Sequence, residues 1–177
     1  MKKITILIVA LLSFFSVTIS SKAATDYIYL GEEIEGIRVH LKTSDMNFSM
    51  AMEKIVNRST NELLYCIEPG VHLYDGEYEK INSSDKIKEV FSDEEWAYLK
   101  LLTYYGYGYK DRTDIKWYVI TQYMVWDYII RDKGEIYFVD DSDHKIEPYQ
   151  EEIKKILNDI KNHDIIPSFT NKKYEDS

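Results

Sequence analysis

Apolar and polar positions alternate with a period of two in the first third of the chain and with a period near 3.6 further on. Tyr27-Ile28-Tyr29-Leu30 is a short strand-like run that meets a turn at Gly31. Ile37, Val39 and Leu41 then alternate with Arg38, His40 and Lys42, the pattern of a half-buried strand. Phe48 to Met52 continues the alternation, and Asn57 to Asn61 is a polar turn. Leu63-Leu64-Tyr65-Cys66-Ile67 predicts a compact apolar strand stopped by Pro69-Gly70, which places Cys66 near a strand end.

The period changes at Ser92. Ser92 with Glu95 three residues on predicts a capped helix start, and Trp96, Leu99, Leu102 and Tyr105 follow at helical spacing until Gly106. Tyr104 to Tyr109 is an aromatic-glycine loop; its glycine spacing and lack of a placed basic residue exclude a phosphate loop. Thr113 or Asp114 caps a second, strongly apolar helix running to about Arg131, with Trp117, Ile120, Met124, Val125, Trp126 and Ile129. Gln122 sits inside it as a polar residue between apolar neighbours. Glu135 to Val139 is strand-like. Pro148 opens an amphipathic helix with Ile153, Ile156, Leu157 and Ile160 on one face, ending between His163 and Pro167. The pattern predicts one mixed α+β domain, an antiparallel β portion holding Cys66 and a mainly helical portion presenting Gln122.

The start of the chain narrows the setting. Lys2 and Lys3 precede an apolar stretch from Ile4 to Ile19, and Ser21-Lys22-Ala23 fits a small-x-small cleavage site. Residues 1–23 are expected to be a secretory signal peptide rather than an anchor, since the apolar core is short for a span and no stop-transfer charges follow. Losing Lys2, Lys3 and Lys22 takes the net charge from −9 to −12. That charge argues against nucleic acid and anionic membrane surfaces as partners, and no membrane insertion is expected after signal cleavage. Tyrosine, at 16 residues against 6 Phe and 3 Trp, fits either a contact surface or ordinary half-buried packing.

Cys66 is the only cysteine, in a chain expected to reach an oxidising compartment. It is an intermolecular disulfide, a thiol kept for chemistry, or a small buried hydrophobe. Gln122 offers the chemistry. A thiol held against a carboxamide carbonyl can displace ammonia and leave an internal thioester, a stored electrophile shielded by apolar neighbours until an amine arrives.

Tyr65-Cys66-Ile67-Glu68-Pro69-Gly70 and Thr121-Gln122-Tyr123-Met124-Val125-Trp126 resemble the two signature motifs of the thioester domains of Gram-positive surface adhesins and pilus-tip proteins. Tyr104 to Tyr109 and Ile166-Pro167-Ser168-Phe169 resemble that family as well, so the similarity spans most of the mature chain. Met124 stands where the family often has Ala. The resemblance implies a β-sandwich-like portion with an inserted mainly helical subdomain, over residues 24–169, followed by a polar tail at 170–177. It implies a Cys66–Gln122 thioester cross-link. Thr121, Tyr65, Trp126 and His72 are possible supporting residues; Trp126 and Tyr65 fit plain core packing as well, and His72 fits a surface loop better than proton transfer. No cofactor or metal is expected. The resemblance implies covalent capture of an amine, such as a lysine, on a host or surface protein, by a secreted domain whose cell-wall attachment needs a further C-terminal region. Family members usually continue into stalk domains and a sorting signal, which the sequence up to Ser177 does not contain; the expectation is a stand-alone secreted domain or a fragment.

Two other classes compete. A cysteine hydrolase or transferase needs a histidine beside Cys66, from among His40, His72, His144 and His163. A non-covalent module would use the tyrosine-rich loop and leave Cys66 inert. Metal binding has little support: one Cys and four scattered His lack ligand spacing. Asp140-Asp141-Ser142-Asp143 lacks the glycine and closing Glu of a calcium loop and reads as a solvated turn.

Overall fold

The computed structural model describes residues 25–79 and 84–163. The expected signal peptide, the Ile166–Phe169 motif and the tail from Thr170 lie outside the described residues. Six strands come first: β1 (Thr25–Leu30), β2 (Arg38–Thr43), β3 (Asn47–Ala51), β4 (Ile55–Asn57), β5 (Leu63–Leu64) and β6 (Gly76–Glu79). Helices α1 (Ser84–Val90), α2 (Asp93–Tyr105) and α3 (Ile115–Ile130) follow, then β7 (Gly134–Val139), β8 (Lys145–Ile146) and α4 (Gln150–Lys161).

The strands form two antiparallel four-stranded sheets, ordered β5-β4-β1-β6 and β3-β2-β7-β8. After the three helices the chain returns to pair β7 with β2, from Arg38↔Val139 to Thr43↔Gly134. The helices are thus an insertion within an otherwise β fold, and the α+β class holds. Among the described residues no helix is long and apolar enough to cross a membrane.

The period-two reading of β2 holds: Val39 and Leu41 are fully buried, while His40 stacks on Tyr137 across the strand pair at 4.9 Å. The α2 start is the expected capping box, Ser92 Oγ accepting from the Glu95 N–H and the Glu95 carboxylate from the Ser92 N–H. Asp114, not Thr113, caps α3 through the Lys116 N–H at 2.8 Å. Ten of the 16 residues of α3 are buried, Thr121 and Gln122 included. Polar groups placed so deep must find partners, and no buried side-chain nitrogen or oxygen among the described residues lacks one.

The aromatic-glycine loop is fixed between α2 and α3. Buried Arg112 donates to the Tyr105 carbonyl and to Asp159 Oδ2 at 2.6 Å, and its guanidinium lies 4.7 Å from the Trp117 ring centre. That ion pair ties the loop to α4. Tyr104, Tyr105 and Tyr109 pack against one another in the same region.

Several expectations need correction. The strand at 63–67 is only Leu63–Leu64, so Cys66 lies two residues beyond it. Leu157 is 42% exposed, because α4 buries only Ile156 fully, with Ile153 and Ile160 partly buried on the same face. Short β4, β6 and β8, and α1, had no periodic run long enough to predict them.

Candidate functional site

The strand ends at Leu64 because its next backbone partners are side chains. Tyr118, Gln122 and Trp126 stand four residues apart on α3 and share one helix face. Tyr118 donates its hydroxyl to the Leu64 carbonyl at 2.8 Å and accepts from the Ile55 N–H at 3.0 Å. The Gln122 carboxamide pairs both ways with Cys66: the Cys66 N–H donates to Oε1 and Nε2 donates to the Cys66 carbonyl, each at 2.8 Å. Trp126 Nε1 donates to that same carbonyl at 2.8 Å. One face of α3 thus takes the place of a neighbouring strand for residues 64–66. The pairing also fixes the carboxamide orientation, since a backbone donor and acceptor side by side admit only one flip.

The Cys66 thiol donates to the Glu68 carbonyl at 3.3 Å, two residues along its own turn. Gly70, at φ +84, supplies the left-handed backbone that this turn requires. Burial pushes the thiol above its ordinary range, more than the hydrogen bond to Glu68 lowers it.

Behind the pair, Tyr65 stacks on Tyr118 at 5.2 Å, with its hydroxyl beside the Thr121 side chain. Burial pushes both phenols well above the usual tyrosine range, which keeps them as neutral hydroxyls. Thr121 Oγ1 donates to the Trp117 carbonyl at 2.6 Å and accepts from the Tyr107 N–H at 3.1 Å. Gly106 lies so close that a Cβ there would stand 2.1 Å from Thr121 Oγ1. The aromatic-glycine loop is therefore seated on the residue next to Gln122.

In front, Cys66 and Gln122 open into a cleft of about 50 Å³, walled by Met50, Met52, Ile55, Val71, Leu73 and Trp126. That space suits a few water molecules or the tip of a slender side chain. Its ionisable neighbours, besides Cys66, are Glu53 and His72.

A protein-family model for the thioester domain matches residues 63–164, more than half of the chain. The chain belongs to the thioester domain family. No curated protein and no solved structure matches it. In this thioester domain the match begins at β5, just before Cys66, and runs through α4.

The structure brings Cys66, Gln122, Trp126 and His72 to one cleft, and places Tyr65 and Thr121 behind it. Of the four histidines, His72 alone lines that cleft, its ring edge-on to Tyr74. His40 is held by Ser49 and Asn47, His144 by Asp140, and His163 by the Tyr105 hydroxyl. Asp140 is a turn residue, accepting the Ser142 and His144 N–H groups. Buried Met124 packs in the core on the side of α3 that meets Leu102 and Ile153, away from the cleft. Two residues that frame the site did not come from the sequence reading. Tyr118 has a signal in its spacing of four from Gln122 and eight from Trp126; nothing in the sequence marks Glu53.

Proposed function

We propose that the Cys66 sulfur and the Gln122 side-chain carbonyl of this thioester domain join as an internal thioester, which then captures a primary amine on a protein ligand covalently. The single observation that carries this is the two-way pairing of the Gln122 carboxamide with the Cys66 backbone. It holds the acyl group beside the residue whose thiol attacks it, so a slow bimolecular step becomes an intramolecular one.

The chemistry follows from the donors present. Sulfur leaves its contact with Glu68 and bonds to the Gln122 acyl carbon; the carbon–nitrogen bond breaks, and ammonia departs with the thiol proton. Charge that develops on Oε1 meets the Cys66 N–H, a fixed backbone donor already in place. Loss of the Nε2 group does not orphan the Cys66 carbonyl, because Trp126 Nε1 still donates to it. Trp126 thereby both shields the bond and keeps the product state hydrogen-bonded. Thr121 and Tyr65 hold the helix and the cysteine segment together from behind.

Capture reverses the polarity. The amine adds to the acyl carbon, an amide forms, and Cys66 leaves as the free thiol. Burial that raises the thiol's proton affinity also makes its thiolate a poorer leaving group, which lengthens the life of the stored bond. His72, at the cleft, is placed to take the proton that the amine loses. Each molecule reacts once, so the role is binding rather than turnover. In a secreted or surface-displayed protein this is adhesion to a host or surface ligand bearing a lysine.

Methylamine tests the capture step. The treated protein is expected to gain one amine on Gln122, located by peptide mapping, together with one newly titratable thiol. A thiol that titrates fully before treatment, with no amine incorporated, would leave a non-covalent module as the better description.

A further inference from the structure

The cleft carries a charge that the proposed reaction does not by itself require. Its walls are aliphatic, thioether and indole groups, and two ionisable side chains other than Cys66 face it. One is the proton acceptor His72. The other is Glu53, exposed at the start of the connection from β3 to β4, between wall residues Met52 and Ile55. Its neighbour Lys54 turns away, pairing with Glu32 at 3.0 Å and lying over the Tyr107 ring. No side chain among the described residues forms an ion pair or hydrogen bond with the Glu53 carboxylate.

We infer that Glu53 is the specificity-determining residue of the cleft, selecting nucleophiles that become cationic as they attack over those that arrive as anions. The inference rests on the thioester proposed above. As an amine adds to the acyl carbon its nitrogen becomes positively charged, and a carboxylate on the cleft wall favours that charge. Hydroxide, the nucleophile that would waste the bond, brings negative charge into the same space and is disfavoured by the same carboxylate. One acidic side chain therefore speeds capture and slows hydrolysis together. The apolar walls add to the effect by admitting a slender aliphatic amine and little water.

The test compares wild type with Glu53→Gln, both first shown by mass to contain the thioester, at low ionic strength and one mildly alkaline pH. Thiol release is followed with methylamine and without it. The variant is expected to react about three- to fivefold more slowly with methylamine and about three- to fivefold faster with hydroxide, the scale of one unit charge in a partly exposed site. The ratio of aminolysis to hydrolysis then falls about ten- to twenty-fivefold. Rates that are both unchanged, or that both move in the same direction as a merely loosened cleft would make them, overturn the assignment. Should the variant fail to fold or to form the bond, salt applied to the wild type answers the same question. Screening is expected to lower the ratio, and a ratio independent of salt overturns the role of Glu53. If wild type itself has its full sequence mass, it is the thioester reading that falls, and with it this one.

Discussion

Cys66→Ala is expected to abolish amine capture while leaving the fold within about 1 kcal/mol of wild type whose thioester has been opened with methylamine; the intact cross-link adds a loop-closure stabilisation that both variants below lose alike. The backbone of Cys66 makes three hydrogen bonds to α3, its N–H to Gln122 Oε1 and its carbonyl to Gln122 Nε2 and Trp126 Nε1, while its sulfur lies near Trp126. An alanine keeps every one of them and removes only the sulfur. Gln122→Ala is expected to abolish capture equally but to destabilise as well. It strips the Cys66 N–H of its acceptor and opens a void beside Trp126, a loss of about 2–3 kcal/mol. Urea unfolding midpoints paired with methylamine incorporation check both variants. Equal stability losses in the two would mean that the hydrogen bonds to the Cys66 backbone do not hold the cysteine segment to the helix. Residual incorporation at Gln122 in Cys66→Ala would mean that the sulfur is not the group that activates it.

Gly106→Ala is expected to produce the largest effect from outside the reacting pair. The glycine's φ of −79 is not left-handed, and the requirement argued here is one of space. A Cβ there would lie 2.1 Å from Thr121 Oγ1, 2.5 Å from Thr121 Cγ2 and 2.9 Å from the Leu102 carbonyl oxygen. The last is helix backbone and cannot swing aside. Either the loop lifts or α3 shifts at Thr121, and a shift there moves the adjacent Gln122. The expected cost is about 2–3 kcal/mol of stability, with a visible drop in the fraction of protein that forms the thioester. Gly108→Ala is the matched control. Gly108 is at φ +85 with nothing within 4 Å of the added carbon, so its cost is conformational, about 1 kcal/mol, and the thioester fraction should stay at the wild-type level. Thermal unfolding and the intact-mass distribution of the two variants separate steric displacement of the site from loop strain.

The sequence disclosed the parts of this fold that follow a single period for long enough. α2 was legible to its caps because Ser92 and Glu95 form a capping box and Gly106 a stop. β2 was legible because Val39 and Leu41 repeat every second residue against polar neighbours. The cysteine segment was not. Leu63 to Ile67 is apolar enough for a strand, and no local pattern reveals that a helix more than fifty residues later takes over its hydrogen bonds after Leu64. The pair itself was suggested by chemistry: one thiol, and one carboxamide in a helix otherwise apolar around it. What brings them together is long-range, and only the i, i+4, i+8 face of Tyr118, Gln122 and Trp126 hints at it. Glu53 lies in a short connection whose place beside Cys66 depends on how two sheets meet, which periodicity does not encode. Hydropathy puts Leu157 on the buried face of α4, because it describes the residue and not the width of the groove that receives the helix.

The most direct test of a Cys66–Gln122 bond is the intact mass of the purified domain beside its Cys66→Ala control. A formed thioester leaves the wild type lighter than its sequence by one ammonia, about 17 Da, with no free thiol, while the control has its full sequence mass. Wild-type protein at full sequence mass, with one thiol that titrates at once in the folded state, would contradict the bond.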